Sequence, residues 1–238
     1  MAVMMRLDKF LCEMGVGTRS EVKAYLKKGM VTVDGEVVKK PEMKVDENTA
    51  EICFQGKKLE FEAVQYFLLN KPAGCVTATR DRLSETVMSF LPENRRDDLF
   101  PVGRLDKDTE GLLLITNDGQ LAHKLLSPKK HVDKTYFAVI DGKVEQAHIE
   151  QFSAGIDIGD EDLTMPAKLE ILSSGDISEI QLTIQEGRFH QVKRMFEAIG
   201  CKVTYLKRIS MGPLTLGDLQ QGEVRVLSEN EVAQLRSR

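Results

Sequence analysis

Gly103-Arg104-Leu105-Asp106-Lys107-Asp108-Thr109-Glu110-Gly111 runs without a break into Leu112-Leu113-Leu114-Ile115-Thr116. A polar stretch bounded by glycines reads as a loop, and the apolar run after it reads as a buried strand. Working outward, β-branched and aromatic content and alternation predict further strands over 66–70, 135–140, 167–172, 177–185 and 203–209, with 112–116 among them. Helices are predicted from Ser84-Glu85-Thr86 to just before Pro92, over 119–126 ending at Ser127-Pro128, and after a Ser228-Glu229 cap. The expected class is α+β with a mainly antiparallel sheet.

The first 62 residues read as a separate unit, with the second domain over 63–238. Leu7, Phe10, Leu11 and Met14 fall at helical spacing and Gly15 and Gly17 end that helix. Thr18 or Ser20 caps a second one, whose apolar face is Val22, Tyr25 and Leu26 and which Gly29 closes. Val31 and Val33 then alternate into Asp34-Gly35, a hairpin signal, and Val37 and Val38 continue beyond it. No internal repeat is visible.

At 238 residues, 42% apolar and 29% charged, the chain excludes fibrous and wholly disordered classes. The net charge of −4 argues against a nucleic-acid partner, but it is a cancellation. Residues 1–40 carry +3 and 188–208 carry +5, against −9 over 141–187. On the helical half of the first unit, Arg6, Lys9, Arg19, Lys23, Lys27 and Lys28 form a candidate phosphate-tracking face; a solvated helix surface has the same composition. Apolar runs are far too short for a membrane span and no secretory core follows Met1, so a cytoplasmic location is expected. The four cysteines have neither zinc-site nor disulfide spacing, and no metal is expected.

Three chemistries fit parts of the 103–111 loop. As a calcium loop it has Asp106, Asp108 and Gly111 in place, but Asn117 stands where the bidentate Glu belongs. As an Asp-x-Asp-x-Thr phosphotransfer loop it has its Thr one position early. The remaining reading is a single carboxylate, Asp106, presented before a rigid strand with Arg104, Lys107 and Thr109 around it; the spacing alone favours a purely structural polar turn. A glycosidase would need a second carboxylate, for which only Asp108 is close, and no Gly-x-Ser-x-Gly occurs. Downstream, Val192, Met195, Phe196 and Ile199 with Gly200 mark an amphipathic helix. Its first turn is basic, which suggests either an anionic partner or ion pairs with the acidic stretch before it. His190 alone carries no catalytic signal.

Five segments in order, Asn70-Lys71-Pro72-Ala73-Gly74, 103–113, Lys134-Thr135-Tyr136, 187–195 and 206–227, resemble the bacterial ribosomal-RNA pseudouridine synthases of the RsuA family. Residues 7–38 resemble their N-terminal RNA-binding module, named after ribosomal protein S4. The form of 186–195 is most similar to the branch acting on small-subunit rRNA. The resemblance implies the pseudouridine synthase fold and isomerisation of a uridine of 16S rRNA, at position 516 of that RNA, without cofactor. Siblings acting on 23S rRNA, or a ribosome-assembly factor whose RNA binding dominates, are the alternatives. It implies as partner ribosomal RNA or a small-subunit assembly intermediate, and a monomeric enzyme. It places the essential aspartate at Asp106, which attacks ribose or base or assists a glycal route; its cationic partner at Lys193, where relatives more often have Arg; and the active-site tyrosine at Tyr136. It suggests that Arg104 holds the flipped-out geometry and Leu206 forms an apolar wall, with Lys71, Arg188, Arg194, Lys207 and Arg208 as candidate phosphate contacts.

Overall fold

The computed structural model describes residues 4–46, 49–59, 64–93, 95–127, 130 and 132–237. Its contacts divide the chain into two units, 1–65 with Leu91–Leu99, and Tyr66–Phe90 with Phe100–Arg238. The expected boundary between 62 and 63 lies outside the described residues.

In the first unit, β1 (Met4–Arg6) leads into α1 (Leu7–Glu13), and α2 (Arg19–Lys27) follows after Gly15, whose φ of +69° suits glycine. Thr18 caps α2 through a capping box, its hydroxyl accepting from the Glu21 N–H while the Glu21 carboxylate accepts from Thr18 N–H at 2.8 Å. Leu7, Phe10, Leu11, Val22 and Leu26 pack on the valines of β2 (Val31–Val33) and on Ile52. Asp34 and Gly35, both with positive φ, turn β2 into β3 (Glu36–Val37). β4 (Lys44–Asp46) pairs with β1, while β5 (Ile52–Phe54) and β6 (Lys57–Lys58) complete a sheet of order β3-β2-β5-β6. The segment Leu91–Leu99 belongs here and not with the second domain that the sequence suggested. Its buried Arg96 donates to Glu13 at 3.0 Å and to Asp98 at 2.9 Å, and its backbone N–H donates to Gln65. These long-range polar contacts have no periodic signature.

The second unit is built on β7 (Tyr66–Lys71), β8 (Phe100–Pro101), β9 (Glu110–Thr116), β10 (Lys134–Asp141), β11 (Lys168–Ser173), β12 (Ile177–Ile184), β13 (Lys202–Met211), β14 (Leu214–Thr215) and β15 (Val224–Val226). The order β11-β12-β10-β13-β9-β7-β15 makes a mixed sheet that is antiparallel except where β9 runs parallel to β13. At that junction Gly111 faces Arg208 so closely that a Cβ would lie 2.2 Å from the Arg208 carbonyl oxygen. A core of Leu68, Leu112, Leu114, Leu121, Leu125 and Met211 fills one side of it. α3 (Gly119–Leu126), α4 (Gln146–Ala154), α5 (Gln191–Glu197) and α6 (Glu229–Arg236) flank the sheet.

The helix expected to open at Ser84 is only a 3₁₀ turn, Val87–Phe90. Asp81 takes the Ser84 N–H and Val87 donates to Val76, so the segment is spent on a loop and a bridge before Pro92 intervenes. Pro128, at the expected end of α3, lies outside the described residues. α4 escaped the sequence reading because it buries only Phe152 and so has no apolar stripe. No helix among the described residues is long and apolar enough to cross a membrane.

Candidate active site

The 105–109 loop is fixed from below by one buried ammonium. Lys71, at the end of β7, is fully buried, and its Nζ donates to the carbonyl oxygens of Pro72 (3.1 Å), Asp106 (3.1 Å) and Thr109 (2.9 Å), with Lys107 at 3.4 Å. An ammonium has three N–H bonds, so the longest contact shares a donor with another. Burial pushes its pKa down, while Cys75, Asp108, Asp106 and Glu110 oppose that shift. This corrects the expectation of a phosphate contact at Lys71: the side chain is sealed from solvent and its donors are committed to backbone. Thr77 fastens the loop from one side, donating its hydroxyl to the Leu105 carbonyl at 2.7 Å and accepting from the Leu105 N–H at 3.2 Å. Gly74 N–H reaches the Lys107 carbonyl at 2.7 Å, and Lys107 Nζ reaches Ser84 Oγ at 3.2 Å.

Held this way, Asp106 keeps its side chain 30% exposed on the wall of a cavity of about 440 Å³. Two bases face its carboxylate. Lys193 Nζ lies 3.4 Å from one oxygen and His190 Nε2 lies 3.6 Å from the other. Lys193 is bound more tightly to Asp108, at 2.7 and 2.9 Å to its two oxygens. The pairing expected between Lys193 and Asp106 is therefore shared, with Asp108 taking the shorter bonds. Burial lowers the pKa of Lys193, but the hydrogen bond to Asp108 and the charges of Asp106 and Asp108 outweigh it and leave the ammonium raised. Asp108 is held below the usual carboxylate range, chiefly by its hydrogen bond to Lys193.

His190 is a neighbour of Asp106 that spacing did not disclose. It stands at the N-cap of α5 in the left-handed region (φ 49°) and stacks on Phe189 with ring centroids 3.8 Å apart. A positive φ on a non-glycine residue is a structural signal, not a sequence one.

Tyr136 is buried on β10 and lines the cavity, as do Leu206 on β13 and the exposed Arg104. Arg208 lines it too, but is buried, so it is not a surface phosphate contact. Lys207 alternates with Leu206 and Arg208 along β13, which puts it on the opposite face of the sheet from the cavity. Arg188 and Arg194 are engaged by the acidic stretch. Arg188 donates to Glu186 at 3.0 Å, to the Asp162 carbonyl at 2.7 Å and to the Leu163 carbonyl at 2.7 Å. Arg194 donates to Asp160 and to the Ile158 carbonyl. Of the two explanations for the basic helix start, ion pairing within the chain describes these guanidiniums, and neither is available as a free phosphate contact.

On the first unit, Arg19, Lys23, Lys27 and Lys28 are exposed and form no ion pair among the described residues, the first three recurring at i, i+4, i+8 along α2. Arg6 is chelated by Asp8 at 2.8 and 3.0 Å, and Lys9 lies 3.5 Å from Glu13. Exposed pairs of this kind are worth about 0–1 kcal/mol.

The RNA pseudouridylate synthase family model matches residues 65–198, and the S4 domain model matches residues 5–50. An uncharacterized RNA pseudouridine synthase of Bacillus subtilis is 47% identical over 232 residues, 96% of this chain and 97% of that protein. The ribosomal small subunit pseudouridine synthase A of Vibrio cholerae is 44% identical, covering 97% of this chain and 99% of its own, and that of Escherichia coli 41%, covering 96% and 99%. A solved pseudouridylate synthase crystal structure, 40% identical, superposes with a TM-score of 0.69 over 97% of this chain and 99% of the other.

The carboxylate pair around Lys193 has a measurable signature. In Asp108→Asn the strongest force holding the Lys193 ammonium is gone, so its pKa, followed by NMR of the lysine side chain, falls toward or below the free value of about 10.4. An unchanged value would assign the raised pKa to Asp106 alone.

Proposed function

Because the chain belongs to the RNA pseudouridylate synthase family, we propose that it isomerises a uridine of small-subunit ribosomal RNA to pseudouridine, the residue at position 516 of 16S rRNA. The observation that carries the reading is Asp106, one carboxylate presented on a backbone-locked loop at the wall of a cavity with room for a flipped base, with Lys193 beside it. The small-subunit substrate is supported by the names of the relatives from Vibrio cholerae and Escherichia coli, which match over nearly the whole chain. A free rRNA fragment or a small-subunit assembly intermediate serves as substrate, and the enzyme acts as a monomer in the cytoplasm.

In this reading each group has a task set by its place. The target base leaves the stack and enters the cavity, where the Tyr136 ring offers a face for stacking. Asp106 acts through its carboxylate, with the Lys193 ammonium 3.4 Å from one oxygen. Arg104, exposed at the cavity wall, supports the flipped-out backbone. Uridine and pseudouridine have the same atoms, so the chain's residues have only to cleave, hold and rejoin. The first unit grips the RNA around the target, through the unpaired cations on α2.

Two experiments bear on this. Asp106→Asn is expected to abolish pseudouridine formation in a 16S rRNA fragment, read by mapping pseudouridines, while RNA affinity changes less than about threefold; retained turnover would remove Asp106 from the catalytic role. Replacing Arg19, Lys23 and Lys27 together by Ala should lower affinity and flatten the plot of log affinity against log salt by roughly 2 to 3. An unaltered slope would take the α2 ridge out of the RNA contact.

A further inference from the structure

The cavity contains cationic donors that these roles leave unused. Arg208 on β13 lies directly across from Tyr136 on β10. Directly paired residues share a face of the sheet, and both line the cavity. Arg208 is 2% exposed; its Nε–H donates to the Leu112 carbonyl at 2.7 Å, and its Nη2 is buried with no partner among the described residues. Lys134, two residues before Tyr136 on the same strand, is also buried on the cavity wall, with Nζ 3.1 Å from the Val132 carbonyl. Burial lowers the pKa of Lys134 and the Arg208 charge adds to that, against Asp133 and Glu186. A buried charged donor left unmatched is expensive. It persists where a ligand supplies the acceptor.

Building on the pseudouridine synthase reading, we propose that Arg208 donates a hydrogen bond to a carbonyl oxygen of the flipped uracil and stabilises the negative charge the ring gains during isomerisation. A base carbonyl, and not a phosphate, is the acceptor, because Arg208 is buried on the cavity wall directly across the sheet from the buried Tyr136, whereas the exposed cation at the cavity wall is Arg104. When the C1′–N1 bond breaks, its electron pair stays on the uracil and spreads over N1, O2 and O4, while C1′ either bonds to the Asp106 carboxylate or becomes part of a glycal as Asp106 takes the C2′ proton, which it returns on rejoining. If Asp106 instead adds to C6 of the ring, the displaced electrons again collect on O4. Rejoining forms the C1′–C5 bond, C5 loses its proton and N1 gains one. Turning the ring by half a turn about its N3–C6 axis exchanges N1 with C5 and, in the same movement, O2 with O4. One fixed donor therefore finds a carbonyl oxygen in the same place before and after the turn, and keeps the detached ring in register.

The test is a cycle between Arg208→Met and the substrate atom, using 16S rRNA fragments with uridine, 2-thiouridine or 4-thiouridine at the target, because sulfur is a poor hydrogen-bond acceptor. Single-turnover rates, RNA affinity and thermal unfolding are read for each. In wild type at least one thio substrate should be slowed roughly 10- to 100-fold, and R208M should be slowed as much on uridine with affinity nearly unchanged. R208M should lose no more than about threefold further on that thio substrate. Penalties that simply multiply, full turnover by R208M, or wild type at full rate on both thio RNAs would each overturn the assignment; the last comparison stands even if R208M does not fold. A wild type that makes no pseudouridine from the unmodified fragment would overturn the functional reading itself, so the two failures are distinct.

Discussion

The ammonium of Lys71 is the constraint on which the site depends. A cation buried without a carboxylate is costly, and here four backbone carbonyls gathered within 3.4 Å offset that cost. Three of those carbonyls belong to the loop that carries Asp106. The loop can then take few other shapes, because moving it would strip acceptors from a charge that water does not reach. Thr77 and Gly74 lock the same stretch by ordinary hydrogen bonds, worth about 0.5–1.5 kcal/mol each. Packing against β9 does the rest, since Gly111 allows the strand to approach β13 at a distance no side chain tolerates.

Charge is arranged around this loop in two tiers. Near the carboxylate, Lys193 is divided between Asp106 and Asp108, so one ammonium answers two acids and neither is fully neutralised. Arg188, just before α5, and Arg194 on it are engaged by Asp160 and by carbonyls of the acidic stretch. Part of the alternation of −9 and +5 along the chain is thus internal pairing, through Asp160 and Glu186. Among the exposed cations are Arg104 at the cavity and the α2 ridge on the first unit.

Much of the fold was legible. The strand expected over 112–116 lies within Glu110–Thr116, and the caps at Thr18 and Ser228 form as capping boxes, because periodicity and capping chemistry are local. The α+β class with a mixed, mainly antiparallel sheet follows from the same patterns. Side-chain partners were less legible. Lys71 and Thr109 are 38 residues apart and Arg188 and Asp160 28 apart, so nothing nearby in sequence says whether a basic residue meets a carbonyl, an acid or water. His190 escaped because its approach to Asp106 comes from a left-handed backbone, and Arg208 was read as a surface cation because strand burial on the cavity side depends on the whole sheet.

The most direct measurement is on Lys71→Met, a neutral side chain of similar length in the same buried position. If the ammonium sets the geometry of Asp106, the variant remains folded and binds a 16S rRNA fragment within about threefold of wild type, while its single-turnover rate falls by roughly 100-fold, about 2.7 kcal/mol of lost positioning. Its crystal structure then shows the 105–109 loop displaced. A loop that stays in place with turnover undiminished would contradict the claim that this one buried charge holds the Asp106 carboxylate.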